Sequence, residues 1–310
     1  MLDRRLLFVT GKGGVGKTTM AAALAVLGAQ QGKRVLVCEV DAKGNLADVF
    51  ESSPTSFEER EVQPGVFAMS MDTEASLREY LRLQIRIPLL ARIGPLARTF
   101  DFLANAAPGI KEIVTVGKFA WEVKERNYDL VVVDAPATGH IVGQLNAPQA
   151  INDLVQVGLI REQTGWMLEI LRDPATTGVV IVAAPEEMPV VESLELIERL
   201  EETHVEVAGV IVNRVLPELF GRAEEAVFER LRDAEEEGTL DGSLGAGIGP
   251  VLEAARLAVT LRRTRAGHLT HLREGVPEGT NIVYVPELFN RTHGLRATRQ
   301  VADALAAELL

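Results

Sequence analysis

The sequence predicts an α/β fold: a doubly wound, mainly parallel sheet with an inserted helical subdomain. Three observations carry this. Short apolar runs recur at 6–10, 35–40, 130–133, 179–183, 207–212 and 282–285, each rich in Val, Ile or Leu and continuous rather than alternating. Continuous runs of that length suit parallel strands covered on both faces. Helix-compatible stretches at 18–30, 190–202 and 296–309 separate them, and strands alternating with helices build a doubly wound sheet. The composition, 47% hydrophobic and 25% charged, supplies a core and excludes wholesale disorder.

Taken in order, the first strand runs into a glycine-rich loop and the helix 18–30, then the second strand 35–40. A weaker strand at 66–71 is expected at a sheet edge. The next fifty or so residues, 75–125, hold no convincing strand. After the strand 130–133, a second helical piece occupies 151–172. These two stretches are expected to form the inserted subdomain. The run EEEGTLDGSLGAGIG at 235–249 follows no strand and predicts a solvated flexible loop, with Glu235–Glu237 at a solvated helix end. At about 150 residues per domain, 310 residues allow two domains or one large domain with insertions. With no internal repeat, residues 1–310 read as a single domain.

Lys and Arg number 32 and Asp and Glu 44, a net charge of −12. Such a chain is a poor nonspecific nucleic-acid binder, and no direct nucleic-acid partner is expected. Cys38 is the only cysteine, which excludes an internal disulfide, a four-cysteine zinc site or a cysteine-held cluster within one chain. No apolar run approaches the ~20 residues needed to span a bilayer. The first residues, MLDRRLLFVTGKGG, reach glycine too early for a signal peptide. A soluble, cytoplasmic protein is expected.

The strongest motif is Gly11-Lys12-Gly13-Gly14-Val15-Gly16-Lys17-Thr18-Thr19. It fits G-x-x-x-x-G-K-[ST] between a strand and a helix, the context of a phosphate-binding loop. Glycines let backbone N–H groups approach phosphate oxygens. Lys17 reaches the β/γ-phosphates, and the Thr18 hydroxyl is a magnesium ligand. The same residues match G-x-G-x-x-G, with Glu39 at the end of the second strand 23 positions after Gly16, where a dinucleotide fold uses an acid on a ribose. Lys17-Thr18 has no purpose in that reading. The strand Tyr128-Asp129-Leu130-Val131-Val132-Val133 ends in Asp134, which favours a nucleoside triphosphate: a carboxylate there holds magnesium, through water, beside the loop. The fold class is thus that of a P-loop NTPase, with a nucleoside triphosphate and Mg²⁺ expected at the site. Lys12 is a second lysine inside the loop. It either adds positive potential to its own site or, as in deviant loops of the form K-G-G-x-G-K-T, reaches a partner's nucleotide across a dimer interface.

These residues resemble the arsenite-pump ATPases and the ATPases that deliver tail-anchored membrane proteins, in a single-copy, bacterial-like form. The resemblance rests on Gly11–Thr19, on Asp41-Ala42-Lys43-Gly44-Asn45-Leu46-Ala47-Asp48-Val49-Phe50 against a switch I of D-P-A-H-N-L-S-D-x-F, on Asp134-Ala135-Pro136-Ala137-Thr138-Gly139-His140 against a switch II of D-T-A-P-T-G-H, and on Ile211-Val212-Asn213-Arg214. It makes the expected nucleotide ATP and implies an ATPase in which Asp41, Lys12 and Lys17 are catalytic, Asp41 orienting the attacking water. It implies nucleotide contacts from the loop, Asn45, Glu186 and Asn213, the last at the adenine. A surface-loop glutamate is an alternative for Glu186, and a helix cap for Asp41. Thr138, Gly139 and His140 would sense the γ-phosphate, and the 285–287 loop would cover the base.

The resemblance further implies a dimeric switch, as a homodimer or a heterodimer with a family member, that binds or delivers a protein client such as a hydrophobic helix, with at most transient membrane contact. Departures bound it. Ala42 and Gly44 replace a proline and a histidine, implying a looser switch I. There is no C-x-x-C for a zinc clamp, so no zinc is expected. Cys38, alone in a strand, suits the core and disfavours metalloid transport. Only Met167 falls in the helical insertions, so a methionine-rich client groove is absent. The alternative function is a partition- or positioning-type deviant ATPase acting on a protein or surface partner. That class needs a basic patch or a terminal membrane helix, and residues 297–310 lack a basic face. Within 74–102, five arginines and the stripe Leu77, Leu81 and Ile85 fit either a self-packed helix or a client surface.

Overall fold

The computed structural model describes residues 1–41, 44–84, 109–155, 157–218, 248–289 and 294–309, with isolated positions between 219 and 247. Among them, eight strands form one sheet: β1 Leu6–Gly11, β2 Val35–Glu39, β3 Arg60–Gln63, β4 Val66–Ser70, β5 Leu130–Asp134, β6 Thr177–Ala183, β7 Val207–Val215 and β8 Ile282–Pro286. Their order across the sheet is β3-β4-β2-β5-β1-β6-β7-β8. Every pairing is parallel except β3 with β4.

The helices are α1 Lys17–Gln30, α2 Asn45–Phe50, α3 Thr73–Gln84, α4 Ile110–Lys124, α5 Thr138–Leu154, α6 Leu159–Arg172, α7 Glu187–Glu201, α8 Ile248–Gly275 and α9 Leu295–Leu309. Two apolar layers cover the sheet. Leu7 and Val9 of β1 face one layer with α1 and α9, and Leu6 and Phe8 face the other with α4, α5 and α7. This is the period-two division of a strand buried on both faces. It explains why β1 reads as an unbroken apolar run.

The strand at 66–71 is not at the edge. β3 flanks it there, antiparallel and with a register irregularity between Glu61 and Gln63. β3 reads Arg-Glu-Val-Gln and carries no apolar run, because an edge strand facing water needs none. Gly65, at φ 77°, closes the hairpin, and its amide donates to Glu61 Oε1 at 3.0 Å.

The C-terminal part of the long helical stretch, α4, is itself a crossover on the sheet. Val116, Phe119 and Val123 of α4 lie in the core against β1 and β5 residues. A Cβ on Gly117 would stand 2.8 Å from Met167 Cε, so α4 and α6 touch where the side chain is smallest. Met167 is buried in that contact. Trp121 and Trp166 meet edge to face at 6.3 Å beside Lys124. Lys118 of α4 is buried among Glu59, Glu79 and Glu122 at 3.0, 3.0 and 2.8 Å. Burial opposes its charge, yet Glu122 and Glu79 outweigh it and hold the ammonium above its ordinary value. Residues 85–108, which include most of the arginine–leucine stretch, and most of the 235–249 loop lie outside the described residues. No described helix is long and apolar enough to cross a membrane.

Candidate functional site

The site forms where β1, β2, β5, β6 and β7 end at the same sheet edge, the position at which α/β folds bind ligands. β1 passes into the glycine-rich loop, and α1 begins at Lys17 with Gly16 as its N-cap. Gly14 and Gly16 sit at φ 86° and 97°, a region in which side-chain-bearing residues are strained. A Cβ on Gly11 would stand 2.1 Å from the Val182 carbonyl oxygen of β6, and one on Gly16 would stand 2.6 Å from Asn213 Nδ2. The loop is therefore held tightly from behind. On its outer side Gly13 and Gly14 are exposed, and a Cβ on either meets nothing within 4 Å. Val15 anchors the loop in the core. Thr19 is half-buried in the first turn of α1.

Lys17 Nζ donates to the Lys12 carbonyl at 3.3 Å, spanning the loop. Thr18 Oγ1 donates to Asp134 Oδ2 at 2.6 Å. Asp134 is 7% exposed. Burial pushes its carboxyl up to about 6, with Glu39 and Asp41 adding repulsion against the opposing effects of the Thr18 hydrogen bond and Lys17. A hydroxyl oxygen beside a buried carboxylate held short of positive charge fits a magnesium ion. Among the described residues no group of three or more His, Cys, Asp or Glu forms a metal cage. Thr10 Oγ1 donates to the Pro136 carbonyl at 2.8 Å, tying the end of β1 to the start of switch II.

The other predicted residues surround this centre unequally. Asp41 leaves the end of β2 and is exposed. Asn45 opens α2, also exposed, while Ala42 and Lys43 lie outside the described residues. Asn213 Nδ2 donates to the Val15 carbonyl at 2.8 Å, and its Oδ1 accepts from the Arg214 amide at 2.9 Å. That leaves a second amide hydrogen and an Oδ1 lone pair for a base. Glu186 is exposed at the N-cap of α7 with no side-chain capping bond. His140 is exposed in the first turn of α5. Cys38 lies in the core, and burial pushes its thiol well up, so it is no nucleophile or soft-metal ligand.

Two carboxylates take roles at the site that the sequence does not assign them. Lys12 Nζ is paired with Glu192 Oε1 of α7, and Thr138 Oγ1 donates to Glu192 Oε2 at 3.2 Å. One glutamate thus joins the phosphate loop to switch II. Nothing in the sequence marks Glu192 among its acidic neighbours on α7, because the contact spans 180 residues. The second is Glu39, 1% exposed. It accepts from the Gly44 and Asn45 amides at 3.2 and 2.9 Å and from Ser70 Oγ at 3.4 Å. Its side chain serves the backbone of switch I rather than facing a ribose. An acid inside a buried strand was the available signal, since burial of a charge demands donors.

A family model described as anion-transporting ATPase matches residues 4–168 and 156–237. An ATPase of Mycobacterium tuberculosis named BagA is 34% identical over 224 residues, 69% of this chain and 66% of its own. A putative arsenical pump-driving ATPase of Halobacterium salinarum is 29% identical over 259 residues, 76% of this chain and 39% of its own. A Paramecium tetraurelia protein named ATPase ASNA1 homolog 1 is 28% identical over 253 residues, 68% of this chain and 74% of its own. The chain therefore spans 66% of the length of its mycobacterial relative. With 4–237 matched, the phosphate loop, both switch segments and the strand that carries Asn213 all fall inside the family model: the chain belongs to the anion-transporting ATPase family.

Proposed function

We propose that this chain is a Mg-dependent ATP hydrolase whose turnover drives a dimeric switch, binding or delivering a protein client. The observation that carries this is the joint between loop and strand: Thr18 hydrogen-bonded to the buried Asp134, directly beside Lys17 at the head of α1. ATP binds with its phosphates along the backbone amides of Gly13 to Thr19, with Lys17 on the β/γ-phosphates and Asn213 and Glu186 toward the nucleoside. Thr18 and, through water, Asp134 hold magnesium, which when bound neutralises phosphate charge during transfer. Asp41 orients the attacking water from the end of β2. Phosphoryl transfer needs a placed water more than a strong base.

In this reading Lys12 exchanges Glu192 for a nucleotide phosphate across the dimer interface. The pair is a quarter to a third exposed, and such pairs are worth about 1 kcal/mol or less, so a triphosphate outcompetes the carboxylate. Because Thr138 shares that carboxylate, release of Lys12 also changes the first turn of switch II. The relatives named for arsenical pumps and for ASNA1 support a partner-directed ATPase. In this reading the client meets the second helical stretch, 151–172, and not α4, which packs on the sheet. The turn between α5 and α6 exposes Leu154 and Val157 at 78% and 82%, apolar surface that suits a hydrophobic helix.

The test is Asp41→Asn. ATP binding persists, because the phosphate cradle is untouched, while turnover falls by at least about 100-fold. Calorimetric binding and steady-state phosphate release decide it. Normal turnover in that variant removes Asp41 from catalysis.

A further inference from the structure

We propose that Glu39 is the positioning residue of switch I, a built-in carboxylate that fixes the start of α2 at Gly44 and Asn45. This rests on the ATPase reading above. Two successive amides converge on one side chain, Gly44 N on Oε2 at 3.2 Å and Asn45 N on Oε1 at 2.9 Å. Successive N–H groups aimed at one point form a concave cradle for negative charge, and here the chain fills it from within. The cradle needs Gly44 at φ 80°, where α2 starts. A side chain there would meet nothing within 4 Å, so the glycine serves conformation and not space.

Glu39 is also tied to the sheet. It is 1% exposed, and its own carbonyl accepts from the Met71 amide at 2.8 Å. Its carboxylate also accepts from Ser70 Oγ, which is bonded in turn to Thr55. The base of the clamp is thus the β2–β4 junction, and the clamped element is the N-terminus of α2. Asp41 lies between the two ends, two residues after Glu39 and three before Gly44. The described side-chain bonds of Glu39 go to the Gly44 and Asn45 amides and to Ser70. Glu39 acts through the backbone, setting the span within which Asp41 operates.

The experiment uses the full chain and two variants that damage the cradle from opposite sides. Glu39→Gln keeps the size but sets an amide N–H₂ against N–H donors. Gly44→Ala leaves the carboxylate intact and strains φ. Hydrogen exchange over 44–50, measured without nucleotide, should quicken about tenfold in each, with β1 and β5 protected as in the unsubstituted chain. With Mg-ATP, kcat should fall about tenfold while KM stays within about twofold, since a displaced water-orienting group costs turnover rather than binding. Unchanged exchange over 44–50 in both variants overturns the clamp. Loss of protection across the whole sheet, or KM rising in step with falling kcat, overturns positioning in favour of a folding role. Absence of ATP turnover in the unsubstituted chain ends the ATPase reading instead, and the nucleotide-free exchange still decides the clamp.

Discussion

At the residue scale the two informative groups are Asp134 and Glu192. Burial raises the Asp134 carboxyl from 3.8 to about 6, so between those values the folded chain keeps a proton that the unfolded chain has lost. Stability of the ligand-free protein therefore falls as pH rises through that window and stays lower above it, by about 3 kcal/mol at most for a shift of about two units. Asp134→Asn removes the cost. Its nucleotide-free melting temperature should exceed that of the parent at about pH 7.5 and match it near pH 4, while its affinity for Mg-ATP drops. Thermal melts at both pH values check this, and equal differences at the two would refute it. Glu192→Gln frees Lys12 from its intramolecular partner. Half-maximal dimerisation should then need several-fold less ATP, of the order expected for a pair worth up to ~1 kcal/mol. An unchanged ATP dependence would show that the pair does not restrain Lys12.

At the scale of elements, legibility followed burial. β1, β2, β5 and β6 were readable as strands because both faces are covered, and their full burial demands unbroken apolar runs. β3 was unreadable for the opposite reason: Arg60 and Glu61 face solvent, and only pairing with β4 makes the segment a strand. α4 was readable as a helix but not as a crossover. Its apolar face is the same whether it packs on a sheet or within a separate subdomain, and only the contacts of Phe119 with Phe8 settle which. The α5–α6 turn belongs at this scale too. Ile141, Val142 and Leu145 near the start of α5 and Leu171 near the end of α6 enter the core, whereas Leu154, Val157 and Ile160 between them stay exposed. Leu154→Ser with Val157→Ser should leave the melting temperature within a few degrees, because exposed sites contribute about ±0.5 kcal/mol each. Binding of an apolar helical peptide in the presence of trapped ATP should weaken. Equal peptide affinity would remove the turn from the client surface.

At the scale of the whole molecule, the expected behaviour is association governed by nucleotide and not by zinc. In the proposed reading Lys12 reaches a phosphate beyond its own loop, and Cys38, the sole cysteine, is buried in the core. Asp41→Asn with Mg-ATP should double the scattering mass relative to the nucleotide-free chain, with or without a zinc-selective chelator. A strict monomer under those conditions would sink both the dimer and the proposed role of Lys12.

The phosphate loop, the strand-end Asp134 and the alternation of strands with helices were determined by the sequence itself. Their physics is local: glycines at positive φ, a lysine at a helix start and apolar runs of strand length each leave a mark within a dozen residues. What only the tertiary structure decided is long-range. Lys12 finds Glu192 across 180 residues, Asn213 closes the back of the phosphate loop across 198, and Ser70 reaches Glu39 across 31. Such pairings depend on which strands become neighbours, and strand order is a global outcome of packing that no short window of residues encodes.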